Sequence, residues 1–267
     1  MLQKPVPEAP MLTIAATAGA GKTSLAALFP KPAFIMAENG AAVFDEWDDD
    51  VKPLVFPALD TEKPMDSLVR QLRWFYSNID KDHDRETLVI DSNTRLDKMF
   101  QHEVCVQDNV DNIGAARGGF NKGFGAVAEM HAKVISICEA IKKKGITVIF
   151  LSHTKIFKMK NRPDSEDYAI FTIDMHEDSR SHYINNCDGV FFIGKKEFVS
   201  GAESNKKGQT IKFGRLVQTG ERELITETDG KMGFPDAKTR WSMDSVIDLP
   251  KGENPLLTLI PFFNKAQ

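Results

Sequence analysis

Short, nearly continuous apolar runs recur along the chain at residues 11–15, 33–37, 87–90, 146–151 and 189–193. They lack the polar alternation of a strand with one wet face, so they predict strands covered on both faces, as in a parallel sheet. Between them the apolar period changes. Over residues 66–76, Leu68, Leu72 and Phe75 fall at helical spacing, and over 126–144 Val127, Met130, Val134, Ile137 and Ile141 form a stripe. The second stripe runs into Lys142, Lys143, Lys144 and Gly145, cations and a glycine that suit a helix C-terminus. Alternating strands and helices predict an α/β fold, a mainly parallel sheet flanked by crossover helices.

The last quarter changes pattern. Residues 209–217 and 221–228 read as two strands around Thr219-Gly220, hence a C-terminal antiparallel hairpin. Residues 255–263 carry Leu256, Leu257, Leu259, Ile260, Phe262 and Phe263. They suit a closing strand or helix on the core, or a tail that docks on a neighbouring subunit. The expected organisation is an N-terminal arm (1–10), one core (11–250) and an apolar C-terminal segment (251–267).

At 267 residues and 42% hydrophobic content, one α/β domain can use the whole chain. The three cysteines, Cys105, Cys138 and Cys187, show no paired spacing for a metal or redox site, and Cys138 falls on the apolar side of its helix. No apolar run nears the roughly 18 residues that span a bilayer, and the N-terminus lacks a signal-peptide layout. A soluble, cytoplasmic protein that avoids membranes is expected. The net charge of −4 confines any nucleic-acid binding to local patches.

The chemistry concentrates after the first run. Ala16-Thr17-Ala18-Gly19-Ala20-Gly21-Lys22-Thr23 fits the phosphate-binding loop G-x-x-x-x-G-K-[ST], with Ala in the first glycine position. In such a loop the backbone N–H groups of Thr17, Ala18, Gly19, Ala20 and Gly21 can converge on one anion. Lys22 would reach the β- and γ-phosphates, and the Thr23 hydroxyl a Mg²⁺ ion. A helix from about Lys22 to Leu28, including Ser24, would add its positive dipole end, and Phe29-Pro30 would stop it. A plain flexible turn is the alternative, but the segment sits between a strand and a helix start, where phosphate binding requires it.

Thr87-Leu88-Val89-Ile90-Asp91-Ser92 is an apolar strand ending in Asp, placed to hold Mg²⁺ through a water. Glu38 closes the second run and would orient or deprotonate the attacking water, if it is not simply a solvated turn residue. Ser152 and His153 close the fourth run, where a hydrogen bond could sense the γ-phosphate; a structural role is the other reading of His153.

These motifs, with the later Ala237-Lys238-Thr239-Arg240, resemble the RecA-like ATPases. In particular the chain looks like the small phage-encoded ATPases that keep only a RecA core and act in single-strand annealing and recombination. The likeness covers roughly residues 11–248. It implies a RecA-like fold, ATP with Mg²⁺ as cofactors, and Glu38 as the water-activating group. It also implies that Lys238 and Arg240 reach a γ-phosphate held by the adjacent subunit, so that the active form is a homo-oligomer, filament or ring. A solvated basic pair is the alternative for those two cations.

The resemblance further implies two loops for single-stranded DNA. One, over residues 112–125, is rich in glycine and carries Arg117, Phe120, Lys122 and Phe124; the other follows the fourth strand with Lys155, Lys158, Lys160 and Arg162. Aromatics can stack on bases and cations can pair with phosphates. The first loop could instead be a mobile lid over nucleotide, and Asp164, Glu166 and Asp167 could neutralise the second. A single-strand-binding protein would fit as a partner, in the host cytoplasm if the protein is phage-encoded. The competing functions are an ATP-gated annealing module with negligible hydrolysis and another P-loop enzyme, such as a small-molecule kinase.

Overall fold

The computed structural model describes residues 6–160, 168–201, 203–204, 210–212, 215–228 and 233–264. In chain order the elements are β1 (Met11–Ala16), α1 (Lys22–Ala27), β2 (Pro32–Met36), β3 (Leu54–Val55), α2 (Pro64–Ser77), β4 (Thr87–Asp91) and α3 (Asn93–Asp108). There follow α4 (Lys122–Lys142), β5 (Thr147–Met159), β6 (Tyr168–Ile173), α5 (Glu177–Asn185), β7 (Gly189–Ser200), β8 (Glu203–Ser204) and β9 (Thr210–Lys212). β10 (Arg215–Ile225), β11 (Lys238–Thr239), β12 (Val246–Asp248) and α6 (Leu256–Leu259) complete the order. Ala41–Phe44 and Ile113–Gly118 form short 3-10 helices.

The main sheet runs β12-β10-β7-β1-β5-β4-β2-β3. From β3 to β7 every pairing is parallel, and β10 and β12 join antiparallel at the other side. This is the expected α/β class with a mainly parallel sheet, and the fourth core strand, β5, lies between the phosphate-loop strand β1 and the Asp91 strand β4.

The five continuous apolar runs are the central strands, and the pleat explains why they had to be continuous. Along β1, Met11 and Ala15 pack into one buried cluster with α2, α3 and α4, while Leu12, Ile14 and Ala16 pack into a second with α1 and α6. β4 divides in the same way, Leu88 and Ile90 to the first face and Val89 to the second, as does β5 with Val148 and Phe150 against Ile149 and Leu151. Two dry faces leave little room for polar side chains, and Thr13, inside β1, satisfies its hydroxyl by donating to the Tyr183 carbonyl at 2.9 Å. The C-terminal segment closes the second face: Leu256 and Ile260 are buried, and Phe263 meets Phe29 edge-on at 5.7 Å.

Several expectations need correction. Thr219-Gly220 is not a hairpin turn, because β10 runs straight through it. The register shift between Gln218 and Arg222 marks a bulge, and the antiparallel partner of β10 is β7. β5 does not end at His153 but continues to Met159, pairing antiparallel with β6 as a projecting arm, so Lys155 and Lys158 lie on a strand. The glycine-rich stretch is not a loose lid. Its first half is a 3-10 helix, α4 already begins at Lys122, and Asn112 Oδ1 accepts from Gly114 N at 2.7 Å. Gly123 is there for contact, since a Cβ on it would lie 2.2 Å from the Ile113 carbonyl.

Candidate active site at the phosphate-loop edge

β1 delivers its chain to the C-terminal edge of the sheet, and the loop after Ala16 turns into α1 there. Gly19 (φ 73) and Gly21 (φ 91) adopt the left-handed backbone that larger residues resist. Lys22 is folded back under the loop, its Nζ donating to the carbonyls of Ala16 (3.2 Å) and Thr17 (3.1 Å). Burial lowers the Lys22 pKa, and the charges of Asp91 and Glu38 oppose that shift. Ser24 lies one residue along α1, half-buried.

Strand parity sorts the other groups. Asp91 follows Val89 onto the α1 face, and there its Oδ2 accepts from Thr23 Oγ1 at 2.6 Å. Asp91 is only 3% exposed, and desolvation raises its pKa above the usual carboxylate value, with the Thr23 hydrogen bond pulling the other way. A buried carboxylate beside a hydroxyl is a pair of hard oxygen donors that fits a magnesium ion.

His153 shares the parity of Leu151 and stands opposite Ala16, so its ring enters the site. Ser152 has the other parity. Its side chain turns away, donating from Oγ to Asn93 Oδ1 at 2.6 Å, and so is no sensor at the loop. β2 stops at Met36, and Glu38 lies just beyond it. Its Oε1 is 3.1 Å from His153 Nε2, and His153 Nδ1 is 3.4 Å from Lys22 Nζ. One tautomer satisfies both contacts, with Nε2–H donating to Glu38 and Nδ1 accepting from Lys22. The His153 hydrogen bond is the main reason the Glu38 carboxyl is lowered to about 2; partial burial opposes it, and Ser92 and Lys22 add to it. Lys22, Thr23, Glu38, Asp91 and His153 thus converge from four elements.

Lys238 and Arg240 are elsewhere. β11 pairs with Gly189 and Val190 at the start of β7, the sheet edge opposite the chain's own phosphate loop. Arg240 Nη1 meets Asp188 Oδ1 at 2.9 Å although the side chain is 63% exposed. Lys238 Nζ donates to the Asn185 carbonyl at 3.3 Å, and partial burial lowers its pKa.

The expected DNA-contacting residues divide. Phe120 is 94% exposed and Lys122 is exposed at the start of α4. Arg117 is taken up within the chain, with Nη1 2.6 Å from Asp108 Oδ1 and Nη2 2.6 Å from Gln107 Oε1. Phe124 stacks on His176 at 4.1 Å. On the β5–β6 arm Lys158 and Lys160 are exposed, beside exposed Ile156 and Phe157, while Lys155 pairs with Asp174 at 3.3 Å. Arg162 lies outside the described residues. One cation at the loop escaped the sequence reading: Arg222 on β10, whose Nη1 donates to the Ala20 carbonyl at 3.3 Å. Its distance along the chain hides it, and no motif flags it.

The profile of a family described as an AAA domain matches residues 8–241. No curated protein matches the chain significantly. Among solved structures, a KaiC-like protein from the hyperthermophilic archaeon Pyrococcus horikoshii OT3 aligns with 15% identity and a TM-score of 0.44, covering 91% of each chain. No helix among the described residues is long and apolar enough to cross a membrane.

Proposed function

Because the chain belongs to the AAA domain family, a family of P-loop ATPases, we propose that it binds ATP with Mg²⁺ between subunits and hydrolyses it while acting on single-stranded DNA. The observation that carries the ATPase reading is the convergence of Lys22, the Thr23–Asp91 pair and Glu38 at one sheet edge. Lys22 and the loop amides hold the β- and γ-phosphates. Thr23, and Asp91 through a water, would hold the magnesium ion, which supplies charge neutralisation on the phosphate oxygens. Glu38 stays ionised at neutral pH because its pKa is held to about 2, so it serves best as an acceptor that orients the attacking water. The water oxygen bonds to the γ-phosphorus as the bond to the β–γ bridging oxygen breaks. ADP leaves with that electron pair, and the water proton passes to phosphate or solvent.

Lys238 and Arg240 sit across the sheet from their own loop, which supports their supply to a neighbour's γ-phosphate. Arg240 would have to exchange Asp188 for that phosphate. For DNA, the supporting features are the β5–β6 arm with Phe157, Lys158 and Lys160, and Phe120 in the turn just before α4. A recombination or annealing role, with a phage origin, rests on the family likeness of these motifs.

Lys22→Ala should abolish ATP turnover and triphosphate binding, while Arg240→Ala should abolish turnover and leave nucleotide binding intact. Mixing the two inactive proteins should restore part of the steady-state phosphate release, because some interfaces then pair intact halves. A mixture that stays inactive although the subunits exchange rules out supply from a neighbour. A second reading is an ATP-gated DNA-binding module in which hydrolysis is negligible: His153 Nε2 occupies Glu38 Oε1 at 3.1 Å, and while that bond stays closed this oxygen orients no water. DNA annealing that needs ATP but proceeds with no detectable phosphate release would select it.

A further inference from the structure

Arg222 is a second cation at the phosphate loop, and the fold goes to some length to place it. The bulge in β10 lies immediately before it, re-aiming the strand, and Leu249 N donates to the Arg222 carbonyl at 3.0 Å. The guanidinium then crosses to the outside of the loop. Nη1 donates to the Ala20 carbonyl at 3.3 Å and Nη2 to the Pro250 carbonyl at 3.2 Å. It also fills the space beside the next residue, where a Cβ built on Gly21 would fall 2.3 Å from Nη1. The φ of 91 is what requires glycine at position 21, and the bare backbone leaves the guanidinium room to lie against it.

The Ala20 carbonyl belongs to the same planar peptide as the Gly21 N–H, and in a trans peptide the two point in opposite directions. A charge-assisted hydrogen bond to that oxygen fixes the peptide plane and strengthens the N–H as a donor on the far side. We infer that Arg222 is a positioning residue for anion binding: from behind the loop it braces the Ala20–Gly21 peptide so that the Gly21 amide faces the phosphates of a nucleoside di- or triphosphate. This rests on the reading of residues 17–23 as a phosphate loop.

Calorimetric titration of the full chain with Mg²⁺–ADP, and separately with inorganic pyrophosphate, tests it. Relative to wild type, Arg222→Gln should bind both about tenfold more weakly, the loss of one charge-assisted hydrogen bond. Arg222→Lys keeps the charge without the fork and should fall between the two. A merely structural Arg222 would lose affinity only in step with a fall in melting temperature. Wild-type binding with Arg222→Gln within twofold of it overturns the inference, as does an equal loss in both variants that tracks a fall in melting temperature. If Arg222→Gln does not fold, Arg222→Lys decides alone: unchanged affinity overturns, weaker affinity at an unchanged melting temperature supports. Absence of ADP binding by the wild type is a different failure, that of the phosphate-loop reading itself, and removes the inference with it.

Discussion

Two carboxylates at the site have opposite effects on stability, and the sign follows from what surrounds each. Burial raises the pKa of Asp91, so the folded state holds its proton more tightly than the unfolded chain does. Ionisation therefore costs stability as pH rises through that raised value. Asp91→Asn should raise the unfolding free energy of the nucleotide-free protein at pH 7 by on the order of 1 kcal/mol, with the gain vanishing in acid, while Mg²⁺–ATP turnover is lost. Glu38 is the reverse case. Its pKa falls from 4.5 to about 2, so its contribution is complete above 4.5 and disappears as pH drops toward 2. Glu38→Gln should lower kcat by roughly 10²–10⁴ with ATP binding retained. Its melting deficit against wild type should be largest near neutrality and should close on acidification. A deficit that does not depend on pH would mean that the His153 contact contributes nothing.

Among the elements, α3 shows how a helix can be half legible. Leu96, Phe100 and Val104 mark a buried face at helical spacing, and Ser92 Oγ caps the first turn by accepting from Arg95 N at 3.2 Å. Yet Asp97 and Glu103 are also buried, which blurs the apolar stripe. Asp97 belongs to a fully enclosed relay in which its Oδ1 is 3.2 Å from His131 Nε2, and His131 Nδ1 is 2.6 Å from the Tyr183 hydroxyl. It ties α3, α4 and α5 together behind the site. Burial lowers the His131 pKa and lifts that of Tyr183 well above its usual value, so both are neutral at pH 7. Tyr183→Phe strands one polar nitrogen in a dry interior and should cost about 1–3 kcal/mol in urea unfolding. A loss below a few tenths of a kcal/mol would mean the nitrogen is satisfied another way.

At the scale of the whole molecule, one sheet presents different chemistry at its two edges. The phosphate loop, Glu38, Asp91 and His153 share one, and the β5–β6 arm rises from it; Lys238 and Arg240 occupy the other. Stacking of copies that sets one edge against the next would complete the proposed site. For the proposed DNA surface, Phe157→Ala and Phe120→Ala should each weaken single-stranded DNA binding by about 1–3 kcal/mol, and Lys158→Ala should flatten the salt dependence by about 0.7 in slope. Fluorescence anisotropy with a non-hydrolysable ATP analogue measures both, and affinities equal to wild type would remove the arm and Phe120 from the surface.

What the chain determines by itself is local or periodic. Short continuous apolar runs bounded by turn signals point to strands with two dry faces, and glycines with a Lys-Thr pair between a strand and a helix point to a loop at a sheet edge. Both properties are written in neighbouring residues. Glu38 and Asp91 were legible for the same reason, each standing at the end of such a run. The tertiary structure alone decided what depends on pairing partners far apart in the chain. Register turned His153 toward Lys22 and Ser152 away from it, and the pairing of β7 with β10 made a bulge where Thr219-Gly220 looks like a turn. The same pairing brought Arg222 against Gly21. Hydrogen-bond register and side-chain reach across a sheet have no period along the sequence, so they exist only once the strands have met.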